Sequence, residues 1–307
     1  MSAFLALGEC MVELAQTGKG LYRRGFAGDT FNTAWYARRL LPGDWSVGYG
    51  TCIGSDAVSD EMLAFMQGEG IDTGPIRRLN DRTVGLYMIS LQDGERSFSY
   101  WRGQSAARAL ADDADWLEAT LAGNDILHFS AITLAILAPD ARERFCEALG
   151  RARAAGARVA FDTNLRPRLW AGEEDMRKGL ALGASVADIV LPSFDEETGL
   201  FGDASPDATL ARYRDLGAGL VAVKQGGAPL VLWDQAAGRI EISPESVARV
   251  VDTTAAGDSF AAGLLSGLAL GQPTAKAAGF AMRLAARVIQ APGALVPAIF
   301  AEGAPPV

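Results

Sequence analysis

The chain is 307 residues long, 49% hydrophobic, and carries a formal net charge of -9 from 28 basic and 37 acidic side chains. That length and apolar content suffice for a buried core without disulfides or a structural metal, and the acidic balance disfavours nucleic acid or an anionic membrane as partner, because both need basic stripes that release counterions. Cys10, Cys52 and Cys146 are widely spaced with no CxxC, which indicates neither a disulfide framework nor a zinc knuckle and fits a reducing, cytoplasmic setting.

In chain order, AFLALG (3–8) reads as a buried strand closed by a turn glycine. Glu9 and Glu13 interrupt the apolar residues that follow, and no basic stretch precedes them, so neither a signal peptide nor an anchor is expected. No segment approaches the ~20 uninterrupted apolar residues of a membrane span. Residues 30–41 place Phe31, Ala34, Trp35, Leu40 and Leu41 at roughly helical spacing; WSVGYG (45–50) predicts a strand and 59–70 a helix stopped by glycine. The period then changes: 84–102 holds two β-rich runs around QDGE, the strongest hairpin signal in the chain. Its Tyr87, Phe98, Tyr100 and Trp101 supply more aromatic surface than an isolated surface hairpin would bury.

Strand and helix alternate afterwards, with strands at 125–130, 157–162, 187–192 and 219–224 and helices at 139–155, 173–183 and 205–216. Such alternation specifies βαβ units and a mostly parallel sheet covered on both faces. PLVLWD and GRIEIS (229–243), joined by QAA, predict an antiparallel hairpin on one edge; ARVVD and helices at 257–269 and 273–290 complete the chain. With no repeat and no linker, the expected architecture is a single doubly wound α/β domain over 1–307 with a β-hairpin lid.

Several chemistries are excluded by missing motifs. There is no GxxxxGK[ST], and a single histidine, His128, leaves no HExxH pair and no base for a Ser-His-Asp relay. Lying in an apolar strand, His128 reads as a satisfied core residue. GYGTCIG (48–54) has the spacing GxGxxxG, which does not match the dinucleotide fingerprint and reads as turn glycines.

VVDTTAAGDSFAAGLL (250–265) places small residues Ala255, Ala256 and Gly257 between a strand expected to end near Asp252 and a helix. A helix starting there presents backbone N–H groups and a positive dipole end to an anion. Asp258 admits two readings. It is a cap or dipole partner worth ~0.3–1 kcal/mol, or it is a base for a hydroxyl that attacks a phosphoryl group, which explains an acid beside an anion cradle.

This stretch resembles the D-T-x-G-A-G-D signature of the ribokinase-like (PfkB) carbohydrate kinases, departing from it at Ala255, where the family usually has glycine. The resemblance spans essentially the whole chain. GFAGDTFNTA (25–34) looks like the family's substrate loop, with Gly28 and Asn32 at positions that contact the sugar and one glycine of the usual pair missing. IGSDAVSD (53–60) follows its G-x-D pattern at Gly54 and Asp56. PSFDEE (192–197) stands where the family has N-x-x-E, with Ser193 replacing asparagine and Glu196 retained, and VKQGG (223–227) is similar to the segment lining the nucleotide.

The resemblance implies a ribokinase-like doubly wound, mostly parallel sheet with a small β-sheet lid from segments near 9–27 and 80–104. It implies ATP as donor and Asp258 as general base, with the backbone of Ala255, Ala256 and Gly257 completing an anion hole. Ser193, Lys224, Gly226 and Gly227 would border the nucleotide. Mg2+ would be held mainly through water and phosphate, Glu196 acting through water.

GECMVEL (8–14), YWRGQSAA (100–107), FDTNLRPRLW (161–170) and the doubled alanine of TTAAGDSF resemble the family members that phosphorylate 2-keto-3-deoxygluconate. A sugar acid needs a cation at its carboxylate, ideally a fork-shaped arginine. Arg102, beside Tyr100, and Arg166, after a strand end, are candidates that would converge on one cleft; each is equally readable as a surface or phosphate-pairing residue. Tyr87 and Tyr100 are candidate substrate contacts or lid core. The alternative acceptor is a neutral ketose, as in a fructokinase or ribokinase. A non-catalytic sensor would be expected to lack Asp258, and no GxGxxG follows the first strand to support a nicotinamide enzyme. An aromatic lid face predicts a homo-oligomer, most simply a dimer.

Overall fold

A strand covered by helices on both faces must be apolar on both, and the central strands of this protein are buried along nearly their whole length for that reason. The computed structural model describes residues 2–92 and 95–301, so the tip of the expected QDGE turn, Asp93 and Gly94, lies outside the described residues. The elements in order are β1 (Ser2–Leu7), β2 (Met11–Gly18), β3 (Leu21–Ala27), α1 (Asp29–Leu40), β4 (Trp45–Gly54), α2 (Ala57–Gly68), β5 (Ile76–Leu79), β6 (Leu86–Gln92), β7 (Glu95–Trp101), α3 (Ala114–Leu121), β8 (Ile126–Ser130) and α4 (Ala131–Ile136). They continue with α5 (Pro139–Ala154), β9 (Arg158–Asp162), α6 (Glu173–Ser185), β10 (Ile189–Leu191), α7 (Phe194–Phe201), α8 (Pro206–Asp215), β11 (Leu220–Val223), β12 (Leu230–Asp234), β13 (Gly238–Ile242), α9 (Ala256–Ala269) and α10 (Thr274–Val288).

Among the described residues the strands form a nine-stranded sheet, ordered β13-β12-β11-β10-β9-β8-β1-β4-β5, and a four-stranded sheet, β3-β2-β6-β7. The large sheet is parallel from β11 to β5, and the β12–β13 hairpin closes one edge antiparallel. Strand order reverses between β1 and β8, the place where an open α/β sheet parts its loops into a crevice beyond the carboxyl ends. One face carries α1, α2, α9 and α10 over a core that includes Phe31, Trp35 and Leu264; α3 to α8 cover the other over Phe129, Phe145 and Phe161.

Two expectations need correction. GYGTCIG is not a set of turn glycines: β4 runs straight through it to Gly54. A side chain at Gly50 would put its Cβ 2.9 Å from Leu7 Cδ2 on the neighbouring strand, so glycine is there for close strand packing. No strand ends near Asp252. Residues 250–252 form a loop in which the Val251 and Asp252 N–H groups both donate to the Ile289 carbonyl just past α10, at 2.8 and 3.1 Å. The β6–β7 hairpin is joined through β6 by β2 and β3, which fall in the 9–27 segment and whose polar, partly exposed residues gave no clean strand alternation.

Candidate active site

The amino ends of α1 and α9 meet the carboxyl ends of β9 and β11. Asp258, in the first turn of α9, accepts a hydrogen bond of 2.8 Å from Asn32 Nδ2, and its backbone carbonyl accepts one of 3.2 Å from Thr33 Oγ1, which ties α9 to α1. Burial pushes the Asp258 carboxyl up to about 8; the Asp29 carboxylate adds to the rise, the Asn32 hydrogen bond opposes it, and Asp162 and Lys224 act in opposite senses from farther off. The group is half-buried, with protein crowding it on most sides. It does not accept a capping hydrogen bond from its own helix, so the capping reading finds no support. The N-cap Ala255 offers no side-chain cap either; Asp252 instead accepts from Thr254 N and Thr254 Oγ1, and from Gly293 N at 2.7 Å, stapling the loop ahead of the helix.

Ala255 has φ 60 and ψ 16, the only non-glycine residue with positive φ among the described residues. The left-handed conformation costs an L-residue roughly 1–2 kcal/mol, and strain of that size concentrates at functional turns. It is the bend that turns the chain from the 250–254 loop into α9.

Lys224, just past β11, places Nζ 3.0 and 3.1 Å from the two carboxylate oxygens of Asp162 at the end of β9. Asp162 also accepts from Asn164 N, and the Asn164 amide donates 2.9 Å to Asp29 Oδ2. Ser193, Lys224, Gly226 and Gly227 are brought together as the wall of a cavity of about 760 Å³, continued by Leu230, Ile242, Phe260 and Met282 and reaching Ala256 and Gly257. An apolar slot ending at a helix amino terminus suits a flat base carrying phosphates. A smaller cavity of about 500 Å³, lined by Arg177, Phe201, Arg212 and Tyr213, lies elsewhere, and its Arg212 is committed to Glu197 and Asp203.

Gly28 sits where a Cβ would come within 2.1 Å of the Glu9 carbonyl oxygen, so no other residue fits without moving the backbone. Its N–H meets Asn32 Oδ1 at 3.4 Å. Asn32, expected at the sugar, therefore spends its amide on Asp258 and its carbonyl on Gly28. Tyr87 is buried in the small sheet and donates to Glu13, while Tyr100 is half exposed and stacked on Phe98.

The two arginines do not converge on a shared group. Arg102 is buried and ion-paired with Glu9, itself only 2% exposed. Arg166 is held by Glu196 at 3.1 Å and by the Leu165 carbonyl, and the other Glu196 oxygen accepts from Leu165 N. Burial pushes His128 down to about 4, so it is neutral; its Nδ1 has no hydrogen-bond partner, and the satisfied core residue expected there is only partly satisfied. Asp56 of the G-x-D pattern caps α2, accepting 2.9 Å from Ser59 N. Sequence reasoning missed Asp29, Asp162, Glu9 and Glu13, whose only signal was an acid beside a strand end or inside an apolar run.

The profile of the pfkB family of carbohydrate kinases matches residues 3–299. The 2-dehydro-3-deoxygluconokinase of Dickeya dadantii is 40% identical over 297 residues, which cover 95% of this chain and 96% of that one. Among solved structures, a PfkB protein from Polaromonas sp. JS666 superposes with a TM-score of 0.81 at 29% identity over 94% of this chain and 96% of its own. A fructokinase with bound ATP from Xylella fastidiosa does so at 0.79 and 27% identity, over 95% and 93%. The family match spans the α9 turn, and this chain belongs to the pfkB family of carbohydrate kinases.

Proposed function

We propose that the protein transfers the γ-phosphoryl group of ATP to the 6-hydroxyl of 2-keto-3-deoxygluconate (2-dehydro-3-deoxygluconate). The observation that carries the transfer chemistry is Asp258, hydrogen-bonded to Asn32, next in the chain to Gly257 of the cavity wall and raised to about 8, close to the pH at which a base accepts a hydroxyl proton best. The choice of acceptor is supported by relatives such as the Dickeya dadantii enzyme.

In this reading Asp258 takes the hydroxyl proton as the oxygen attacks, and the turn of Ala255 to Gly257 faces the charge that develops on the phosphoryl oxygens. Gly28 lets α1 approach the Glu9 backbone, Asn32 orients the base, and Arg102, backed by Glu9, meets the sugar carboxylate with Tyr87 and Tyr100 beside it. Arg166 would join it at the carboxylate only by leaving Glu196. Ser193, Lys224, Gly226 and Gly227 border the nucleotide. The small sheet covers the acceptor and keeps water, the competing acceptor, away.

No group of three or more metal-ligating side chains occurs among the described residues, and Glu196, on the helix that follows Ser193, keeps a partly exposed carboxylate. That donor set fits a magnesium ion carried by phosphates and reached through water. When bound, the ion neutralises phosphate charge; the residues named above do the rest. No helix among the described residues is long and apolar enough to cross a membrane, and the three buried free thiols suit a reducing cytoplasm.

A neutral ketose is the competing acceptor, favoured by the engagement of both arginines with glutamates. The deciding experiment is a coupled ADP-release assay with 2-keto-3-deoxygluconate, its galactonate epimer, gluconate, fructose and ribose. A lost charge-assisted contact costs about 1.5–3 kcal/mol, so kcat/KM for the keto-deoxy acid is expected to exceed that for fructose by about 10–10²-fold. An equal or higher value for fructose overturns the sugar-acid reading.

A further inference from the structure

We infer that Lys224 is a catalytic residue for the transfer step, its ammonium stabilising the migrating phosphoryl group, and that Asp162 is the positioning residue that aims it.

Three observations converge on this pair. A Cβ at Gly257 would lie 3.5 Å from Lys224 Nζ and 4.0 Å from Asp162 Oδ2, so the ammonium borders the backbone of the turn that leads into Asp258. The same lysine lines the nucleotide cavity, and so stands between that cavity and the base. Its backbone is clamped: Lys224 N donates 2.8 Å to the Pro192 carbonyl and the Lys224 carbonyl accepts 2.8 Å from Phe194 N, which anchors the base of the side chain.

Asp162 is 4% exposed and grips Nζ with both oxygens. A desolvated ion pair is a poor device for stability, because apolar residues of similar size do as well or better. Beside an anion cradle, the pair has a reason to exist. Without nucleotide, Asp162 cancels the ammonium and holds it near the turn. When the γ-phosphoryl group enters, its oxygens meet a cation already in place, and no side chain has to be recruited at the moment of reaction.

The step balances with no further reactant. The acceptor hydroxyl oxygen forms a bond to the γ-phosphorus, the bond from that phosphorus to the bridging oxygen breaks with its electron pair leaving on ADP, and the hydroxyl proton goes to Asp258. Lys224 donates hydrogen bonds only and keeps its protons.

The inference rests on phosphoryl transfer by this site and not on the identity of the acceptor, so it is tested with whichever sugar the unaltered enzyme turns over best. Lys224→Met is expected to lower kcat by about 10²–10³, the cost of removing one donor to a developing oxyanion, with the KM for ATP changed severalfold at most. Lys224→Arg is expected to recover part of that loss.

The second readout is the pH profile. Asp258 is faced by Asp29, Asn32 and Tyr36 of α1, by Asp162 from β9 and by Lys224 past β11. Removing the lysine charge with Lys224→Met should move the acid limb of kcat/KM to higher pH, and removing the carboxylate charge with Asp162→Asn should move it to lower pH. A merely structural ion pair would lower the melting temperature in both variants without splitting the limb. Values of kcat within threefold of normal in Lys224→Met, or limbs that move together in the two variants, overturn the proposal. Failure on every sugar by the unaltered enzyme would strike the proposed function instead.

Discussion

At the scale of single residues, the cleft is governed by what surrounds one carboxyl group. Asp258 has a raised pKa in the folded, ligand-free protein, first because it is crowded out of water and then because Asp29 faces it. A base works only when ionised, so kcat/KM should rise with pH through about 8 and level off above it. The linkage to stability has a definite sign. The folded-state pKa lies above the unfolded value, so stability from the protonated carboxyl is fully present below pH ~4 and is lost as pH rises toward 8. Asp258→Asn should therefore melt higher than the unaltered protein at pH 8, while kcat falls by about 10³ or more and ATP still binds. Retained turnover would remove Asp258 from the role of base. Ala255 makes a second test. Glycine relieves roughly 1–2 kcal/mol of left-handed strain and returns about 0.4–1 kcal/mol through the greater freedom of the unfolded chain. The balance favours Ala255→Gly by about 0.5–1 kcal/mol, or a rise of about 1–2 °C in a chain of this size, measurable by thermal denaturation without ligands.

At the scale of elements, the pair α9 and α10 holds the catalytic turn in place. A Cβ at Gly263 would lie 2.8 Å from the Ala281 Cα, and one at Gly267 would lie 2.7 Å from the Ala277 Cβ, so the two helices touch almost backbone to backbone. In an exposed helix, alanine for glycine gains about 1 kcal/mol. Here the added methyl meets backbone and forces the helices apart, which costs about 1–3 kcal/mol. Gly263→Ala is thus expected to destabilise, and a higher melting temperature would show that α10 can shift freely. The helical character of both segments was legible as good helix formers over 257–269 and 273–290. Their close contact was not, because glycine in a helical pattern signals weakness unless a partner is known. The strand expected to end at Asp252 failed for a related reason: Val250 and Val251 look like strand residues but are exposed, and Val251 and Asp252 are tethered to the end of α10.

At the scale of the whole molecule, the small sheet leaves Leu21, Tyr22, Phe98, Tyr100 and Trp101 substantially exposed, Trp101 at 58%. Apolar surface clustered on one sheet favours pairing with a second copy of itself. Sedimentation at micromolar concentration should give a dimer that Trp101→Asp weakens; a monomer under the same conditions contradicts pairing through this sheet. The central parallel strands, the helices over 139–155, 173–183 and 205–216, the edge hairpin and the small-residue turn into α9 were determined by the sequence alone, because they rest on local periodicity and on small residues within a few positions of one another; β5, α3, α4 and α7 gave no such signal. The tertiary structure decided which charges meet. Glu9 with Arg102, Asp162 with Lys224, Asn164 with Asp29 and Asn32 with Asp258 join residues far apart in the chain, from different elements and the loops between them. A side chain's electrostatic role depends on distance through space, and spacing along the chain carries no record of it until the sheet has folded.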